Sequence, residues 1–360
     1  MPELDPIVAE VAEAVGLAEG TRGVETVLTA VGRLEPVSVR VLGRAADLPV
    51  PIVAAVCGEL RGHGVISEER PVQFTVEGRR RFAAGGRSAV EASCPSCGGR
   101  GIALSHEVAR LRRGLAAVAD AAPVPLVELD QCHCTPKTKL RRVLAMHAAD
   151  AIGDRRILLL GDDDLTSIAL LRFVRQCGGR IEELVVIDVD DRLLAFIGDE
   201  LEQAPFPHRC VHWDVREPLP PALAARFDTV VTDPPYTIAG ASLFIARAAE
   251  ALCDIGSDLF VSFGSRRPGA HFEVQRLITE TGFEIRALTR DFNDYVGAGA
   301  LGGTSHLYHL TATAELRRRT PERYEGPLYT GARRETDAMP STSRRRETRS
   351  PGVSDYGARR

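Results

Sequence analysis

Apolar positions in the first ninety residues recur at helical spacing. Val24–Val31 is one such run, Val37–Ala45 follows Pro36, and Pro51–His63 carries Ile52, Val53, Val56 and Leu60 ahead of Gly64. A period near 3.6 predicts three short amphipathic helices. Val65-Ile66 and Val72–Val76 then alternate around Glu68-Glu69-Arg70, which predicts two short strands. Three helices and a strand pair follow the order of a winged helix-turn-helix. A DNA-reading role would fall on Pro51–His63, where Arg61 and His63, beside Glu59, are the groups suited to base edges. Groove readout draws on several Arg, Lys, Asn or Gln side chains. The segment therefore reads as a scaffold for substrate gating or for a homodimer, and nucleic acid is not an expected partner.

Residues 84–104, rich in Gly, Ser and Cys, read as a linker with a turn-rich knob. Helical spacing resumes at Val108–Val118. From Leu126 to about Thr313 the period changes repeatedly. Strands are expected at Ile157–Leu160, Leu184–Asp188, Cys210–Trp213, Thr229–Thr232 and Leu259–Phe263. Helices are expected at Leu165–Gln176, Asp191–Leu201, Ser242–Leu252 and Phe272–Thr281. Such alternation builds a parallel sheet covered on both faces. Phe283–Thr289 and Ser305–Thr311 have no helix between them, so the sheet is expected to end in an antiparallel edge pair. The fold class is α/β: a Rossmann-like parallel sheet of the class I methyltransferase type, preceded by a small winged-helix-like domain. The expected divisions are 1–90 for that domain, 91–125 for linker and cysteine knob, 126–315 for the catalytic domain and 316–360 for a tail. The tail holds Arg317-Arg318-Arg319, Arg344-Arg345-Arg346, four prolines and many Ser and Thr, a composition expected to be disordered.

Charge sharpens this picture. The tail has 12 Arg against 6 Asp and Glu, a net of +6; the chain totals −4, so residues 1–315 carry −10. An acidic body suits a cationic ligand better than a polyphosphate one. No run of 18 apolar residues is present, and Met1–Glu10 lacks a basic segment followed by an apolar one. Neither a membrane span nor a secretory signal is expected, and the expected location is cytoplasmic.

Three strand ends carry candidate chemistry. Ile157-Leu158-Leu159-Leu160 runs into Gly161-Asp162-Asp163-Asp164, where a nucleotide loop would be rich in Gly. One Asp is enough to cap a helix. Three in a row would repel phosphate and attract an ammonium or sulfonium group. Asp188, ending the second strand, is placed for ribose hydroxyls, and Asp214, after the third, for an adenine amino group. Thr232-Asp233-Pro234-Pro235-Tyr236 ends the fourth strand. Its two prolines stiffen a turn and remove donors. The Asp233 carboxylate and the turn's carbonyls are then acceptors for the hydrogens of a nucleophilic amine, and Tyr236 packs against the substrate.

These motifs, together with Leu165-Thr166-Ser167, Tyr236-Thr237, Asp291-Phe292-Asn293, the stretch Asp130-Gln131-Cys132 to Thr135-Pro136, and Arg141-Arg142, resemble the branched-chain polyamine synthase family of aminopropyltransferases. The resemblance covers about residues 20–313. It implies decarboxylated S-adenosylmethionine as donor and spermidine as acceptor, giving N4-aminopropylspermidine and then the quaternary N4-bis(aminopropyl)spermidine. It further implies catalytic roles for Asp162, Asp163, Asp164, Asp233 and Tyr236. Gly161, Gln131, Asp188 and Asp214 would then bind the donor, and Pro234, Pro235 and Asp291 the acceptor. The chemistry agrees. S-adenosylmethionine carries a carboxylate that calls for donors or a basic residue, whereas its decarboxylated form ends in an ammonium that prefers carboxylates.

Cys94-Pro95-Ser96-Cys97 on a glycine-rich turn resembles half of a zinc site, and Cys132 and Cys134 are candidates to complete it as structural zinc ligands. Cys57, Cys177, Cys210 and Cys253 lie on apolar faces and are expected in the core, and His306 and His309 receive no role. The alternative reading is a methyltransferase acting on an exocyclic amine of a flipped nucleic-acid base, which Asp-Pro-Pro-Tyr would also serve. A DNA-binding regulator with a sensor domain ranks third, since it does not need an amine-gripping turn.

Overall fold

A computed structural model of the chain describes residues 5–83, 94–105, 108–265, 267–297, 303–318 and 323–330. The N-terminal part is helical: α1 Pro6–Val15, α2 Gly20–Leu34, α3 Val39–Ala46, α4 Val50–Gly62 and the single turn α5 Val76–Gly78. Helix α1 was not anticipated, although Ile7, Val8, Val11, Ala12 and Val15 give it an apolar face. It is capped by the Asp5 side chain on the Ile7 amide, with Pro6 at its first position. The expected strand pair is reduced to one bridge, Ile66 to Phe74, and Val72 bridges Val37 instead. One core of Val, Leu and Ile side chains joins these elements, with Val24, Val27, Val53, Val56 and Leu60 fully buried.

The catalytic part is a seven-stranded sheet in the order β3-β2-β1-β4-β5-β7-β6. The strands are β1 Arg156–Leu160, β2 Glu183–Asp188, β3 His208–His212, β4 Thr229–Thr232, β5 Asp258–Phe263, β6 Phe283–Asp294 and β7 Thr304–Ala312. The first five are parallel; β7 is antiparallel to both β5 and β6. This is the α/β sheet expected, with the antiparallel pair at its edge. Side chains of β1 and β2 alternate between two cores. Ile157, Leu159, Leu184 and Val186 face one, and Leu158, Leu160, Val185 and Ile187 the other. Burial on both faces explains why these strands read as unbroken apolar runs. Helices α7 Pro136–Ala148, α8 Thr166–Cys177 and α9 Asp191–Leu201 fill the first core, and α10 Ile238–Ala251 and α11 Ala270–Thr281 the second.

Two expected boundaries move. Helix α6, Ala109–Ala121, buries Leu111, Leu115 and Val118 in the first core, so it belongs to the catalytic part and not to a linker. Residues 316–318 and 323–330 are anchored on the body at Leu316, Tyr324, Leu328 and Tyr329; the rest of the 316–360 stretch lies outside the described residues. Leu328 is buried in the second core, its carbonyl accepts from the Thr237 hydroxyl, and Arg318 donates to the carbonyls of Leu252 and Cys253. The scattered apolar residues Leu316, Tyr324, Leu328 and Tyr329 have no helical or strand period, so composition alone misread them. Cys177, expected in the core, is exposed. Among the described residues no single helix is long and apolar enough to cross a membrane.

Leu328→Ala should lower stability by about 2 kcal/mol, the low end for a buried leucine, since the site lies near the surface. Thermal melting checks this; an unchanged melting temperature would show that the segment is not docked.

Candidate active site

The sheet order turns distant sequence positions into one row. Strands β3, β2, β1 and β4 are consecutive neighbours, so the residues after their carboxyl ends lie side by side: Asp214, Asp188, Gly161 to Asp164, and Asp233. The chain reverses its direction of travel between β1 and β4, the place where open α/β sheets bind ligands. A cavity opens there. Its wall includes Asp130, Gln131, Gly161, Asp163, Asp188, Asp214, Asp233, Pro234, Pro235, Tyr236 and Tyr295.

The three consecutive aspartates separate into three roles. Asp162 is 2% exposed and caps α8, accepting from the amides of Thr166 and Ser167 and from the Ser167 hydroxyl. Burial pushes its carboxyl up to about 7 against those bonds. Asp164, also 2% exposed, turns into the protein. Burial opposes its charge, but Arg142 at 2.5 Å and nearby Lys139 outweigh that and hold it at about 2. Only Asp163 of the three lines the cavity. It accepts from the Cys132 amide at 2.9 Å, and burial with the carboxylates of Asp164 and Asp233 pushes it well above its ordinary range. Of the three residues expected to be catalytic, Asp163 faces the cavity, while Asp162 and Asp164 are held in hydrogen-bond networks behind it. Gly161 makes the turn with φ of 74°, and Leu165, at φ of 55°, ends it in a conformation costly for a branched side chain.

Asp233 meets more partners. One oxygen accepts from Arg142 at 2.7 Å and from the Tyr295 hydroxyl at 2.5 Å, the other from the Tyr236 hydroxyl at 3.0 Å. Burial pushes its carboxyl up to about 7, opposed by Arg142 and reinforced by Asp164, with which it shares a hydrogen bond. Gly240 and Gly264 let the turn close. A Cβ on Gly240 would stand 2.6 Å from the Pro235 carbonyl oxygen, and one on Gly264 2.9 Å from the Tyr236 ring. Pro234 and Pro235 are buried and line the cavity as expected. The Pro235 carbonyl, however, is occupied by the Thr237 amide at 2.7 Å.

Arg142 went unassigned in the sequence beyond its place in the resemblance. Its guanidinium is buried and donates to Asp164, to Asp233, to the Asn293 side chain at 2.9 Å and to the Tyr295 hydroxyl at 3.0 Å. It joins α7 to both acidic loops and to the end of β6. An arginine in an amphipathic helix gives no sign of this, because its partners are 22 to 153 positions away.

The four residues expected on the donor side, Gly161, Gln131, Asp188 and Asp214, all line the cavity. Asp188 lines the cavity and accepts from the amides of Asp162 and Asp190. Asp214 lines it too, with its oxygens held by Arg216. Gln131 lies on the wall, its side chain bonded to Asp190 and to the Leu126 amide. Thr330 bonds Asp130 through its amide and hydroxyl, and Tyr329 and Thr330 complete the rim. Asp291 is not brought in: it sits in a bulge of β6 at φ of 48° and accepts from Thr304.

The four cysteines do not come together as a zinc site; among the described residues no group of three or more His, Cys, Asp or Glu side chains could hold a metal. Cys132 and Cys134 lie on a segment that runs over the acidic loop, where their amides feed Asp163 and Asp164. The Cys134 thiol is buried and pushed well up by burial and Asp164. Cys94 and Cys97 are hydrogen-bonded to each other in a turn fastened by Arg100 to Asp294.

Comparison with known proteins agrees with this geometry. The family model "Branched-chain polyamine synthase A C-terminal domain" matches residues 111–326. An N(4)-bis(aminopropyl)spermidine synthase of Methanocaldococcus jannaschii is 33% identical over 71% of this chain and 72% of its own length. The Thermus thermophilus protein of the same name is 30% identical over 91% and 90%. A solved branched-chain polyamine synthase from Thermus thermophilus, in complex with N4-aminopropylspermidine and 5'-methylthioadenosine, superposes with a TM-score of 0.73 at 26% identity, covering 90% of this chain and 97% of that one.

Removing Arg142 should therefore differ from removing a cavity carboxylate. Arg142→Met leaves two buried acids without their cation, and a loss of about 3–5 kcal/mol is expected. Asp163→Asn should melt within about 1 kcal/mol of the parent, as a half-exposed isosteric change does. Chemical denaturation of both variants checks the contrast; equal losses would contradict it.

Proposed function

The chain belongs to the branched-chain polyamine synthase family, and on that premise we propose that it transfers the aminopropyl group of decarboxylated S-adenosylmethionine to the secondary amine of spermidine. One observation carries this reading. Among the described residues lining the cavity five are Asp, at positions 130, 163, 188, 214 and 233, and none is Lys, Arg or His. Such a wall receives an ammonium and offers no partner for the carboxylate of S-adenosylmethionine. The same wall speaks against the methyltransferase alternative.

The roles follow from placement. Asp188 takes the ribose hydroxyls and Asp214, steadied by Arg216, the adenine amino group, with Ile187, Trp213, Val215 and Phe244 as apolar walls. Asp233 and the turn of Pro234 and Pro235 hold the acceptor nitrogen so that its lone pair faces the methylene beside the sulfonium. The nitrogen–carbon bond forms as the carbon–sulfur bond breaks, its electron pair stays on sulfur, and methylthioadenosine leaves. The nitrogen's proton passes to Asp163, whose raised affinity for protons suits a general base. A second transfer, to the tertiary nitrogen of the first product, has no N–H to lose. It needs only that the first product has been deprotonated. The N-terminal helices, read as a winged-helix-like scaffold, reach the site through Arg44, which pairs with Asp294 beside Tyr295.

Asp233→Asn replaces an acceptor oxygen with a donor that faces the donors of Tyr236, Tyr295 and the amine. Turnover should fall by about 10² to 10⁴, while affinity for decarboxylated S-adenosylmethionine, measured by calorimetry, stays within about twofold, a difference of under ~0.5 kcal/mol. Turnover within about threefold of the parent, or under ~1 kcal/mol, would make Asp233 structural and overturn the assignment.

A further inference from the structure

Tyr295 lies just past β6, two positions after Asp291-Phe292-Asn293, and received no role from the sequence, yet the residue is 9% exposed and its hydroxyl sits at the centre of the site. That oxygen is 2.5 Å from Asp233, 2.6 Å from the Tyr236 hydroxyl, 2.9 Å from the Ser305 hydroxyl and 3.0 Å from an Arg142 nitrogen. A hydroxyl has one proton to give and two lone pairs to receive. Arg142 can only donate. The Asn293 amide donates to the Ser305 oxygen at 2.8 Å, which leaves the Ser305 proton free to point at Tyr295. Arg142 fills one lone pair of the Tyr295 oxygen, the Tyr236 and Ser305 hydroxyls share the other, and the single Tyr295 proton is directed at Asp233. The backbone fixes this arrangement: the Tyr295 amide bonds the Gly303 carbonyl, and Val296 bonds His133.

We propose that Tyr295 is a positioning residue for the transfer: directed by Ser305 and Arg142, its hydroxyl holds the Asp233 carboxylate ionised and turned toward the acceptor nitrogen. The inference rests on the role given to Asp233 above. The groups facing Asp233 are Arg142 from α7, Asp163 and Asp164 from the loop after β1, Tyr236 from its own turn, and Tyr295. Of these, Tyr295 and Tyr236 can be reduced to a plain ring without changing any formal charge. Burial already raises Asp233 to about 7, so its ionised form depends on the donors left to it.

The sign of the effect follows. Taking a donor from an ionised acid raises its pKa. Activity needs Asp163 and Asp233, which interact, both ionised and rises with pH through the values of that pair; Tyr295 bonds Asp233, so Tyr295→Phe should move the acidic limb of the turnover profile to higher pH by about one unit. Turnover at pH 7 should fall about tenfold, the rate consequence of that shift, and recover most of the loss by pH 9. Donor affinity should be unchanged. Ser305→Ala, which leaves the ring in place, should move the limb in the same direction by less. A fall in turnover that is equal at every pH, or a profile that superposes on the parent's, overturns the proposal. If Asp233→Asn kept its turnover, the reading of the site itself would fail; if that variant is impaired and Tyr295→Phe is not, only the role of Tyr295 does.

Discussion

One buried guanidinium decides how the acidic site is arranged. Asp164 is buried and Asp233 nearly so on two neighbouring loops, and two like charges in that setting would repel each other and resist ionisation. Arg142 lies between them with a planar fork of donors, which a lysine ammonium cannot reproduce. Its remaining hydrogen bonds go to Asn293 and Tyr295, so the end of β6 is fixed by the same group. A buried ion pair of this kind contributes little net stability against an apolar substitute, but it is costly to break. Its value is geometric: α7, the loop after β1, the turn after β4 and the end of β6 are held to one centre. Asp163, left outside that network, faces the cavity with a backbone amide as its recorded partner.

The cavity's excess of carboxylates is moderated along its length. Asp214 is matched by Arg216, Asp130 is bonded by Thr330, and Asp188 accepts two amides. Each of these is oriented before a ligand arrives, which lowers the cost of ordering it on binding. Asp233 is matched by Arg142 and two tyrosine hydroxyls, which leaves Asp163, bonded by one backbone amide, as the least compensated carboxylate of the wall.

How much of this was legible in the chain depends on the range of the interaction. Strand ends were legible, because apolar runs and the residues closing them are local; Gly161, Asp188, Asp214 and Asp233 all arrive at the carboxyl edge of the sheet as the alternation predicts. Which of Asp162, Asp163 and Asp164 faces the ligand was not, since that is set by the cap on α8 and by Arg142 across the fold. Tyr295 gave no local signal, because the role proposed for it comes from four partners on three other segments. The cysteine pattern misled for a related reason: Cys132 and Cys134 alternate because their segment lies extended over the acidic loop, not because they share a metal. The docking of Leu328 was hidden by a polar, arginine-rich composition around a few apolar anchors.

The central claim is that the cavity is built for a donor without a carboxylate and for an amine acceptor. The most direct measurement supplies the purified protein with spermidine and an equal mixture of S-adenosylmethionine and its decarboxylated form, and identifies the products by mass spectrometry. The account predicts methylthioadenosine and spermidine extended by aminopropyl at its secondary nitrogen, with no methylated polyamine. Methylated spermidine with S-adenosylhomocysteine, or no product from the decarboxylated donor, would contradict it.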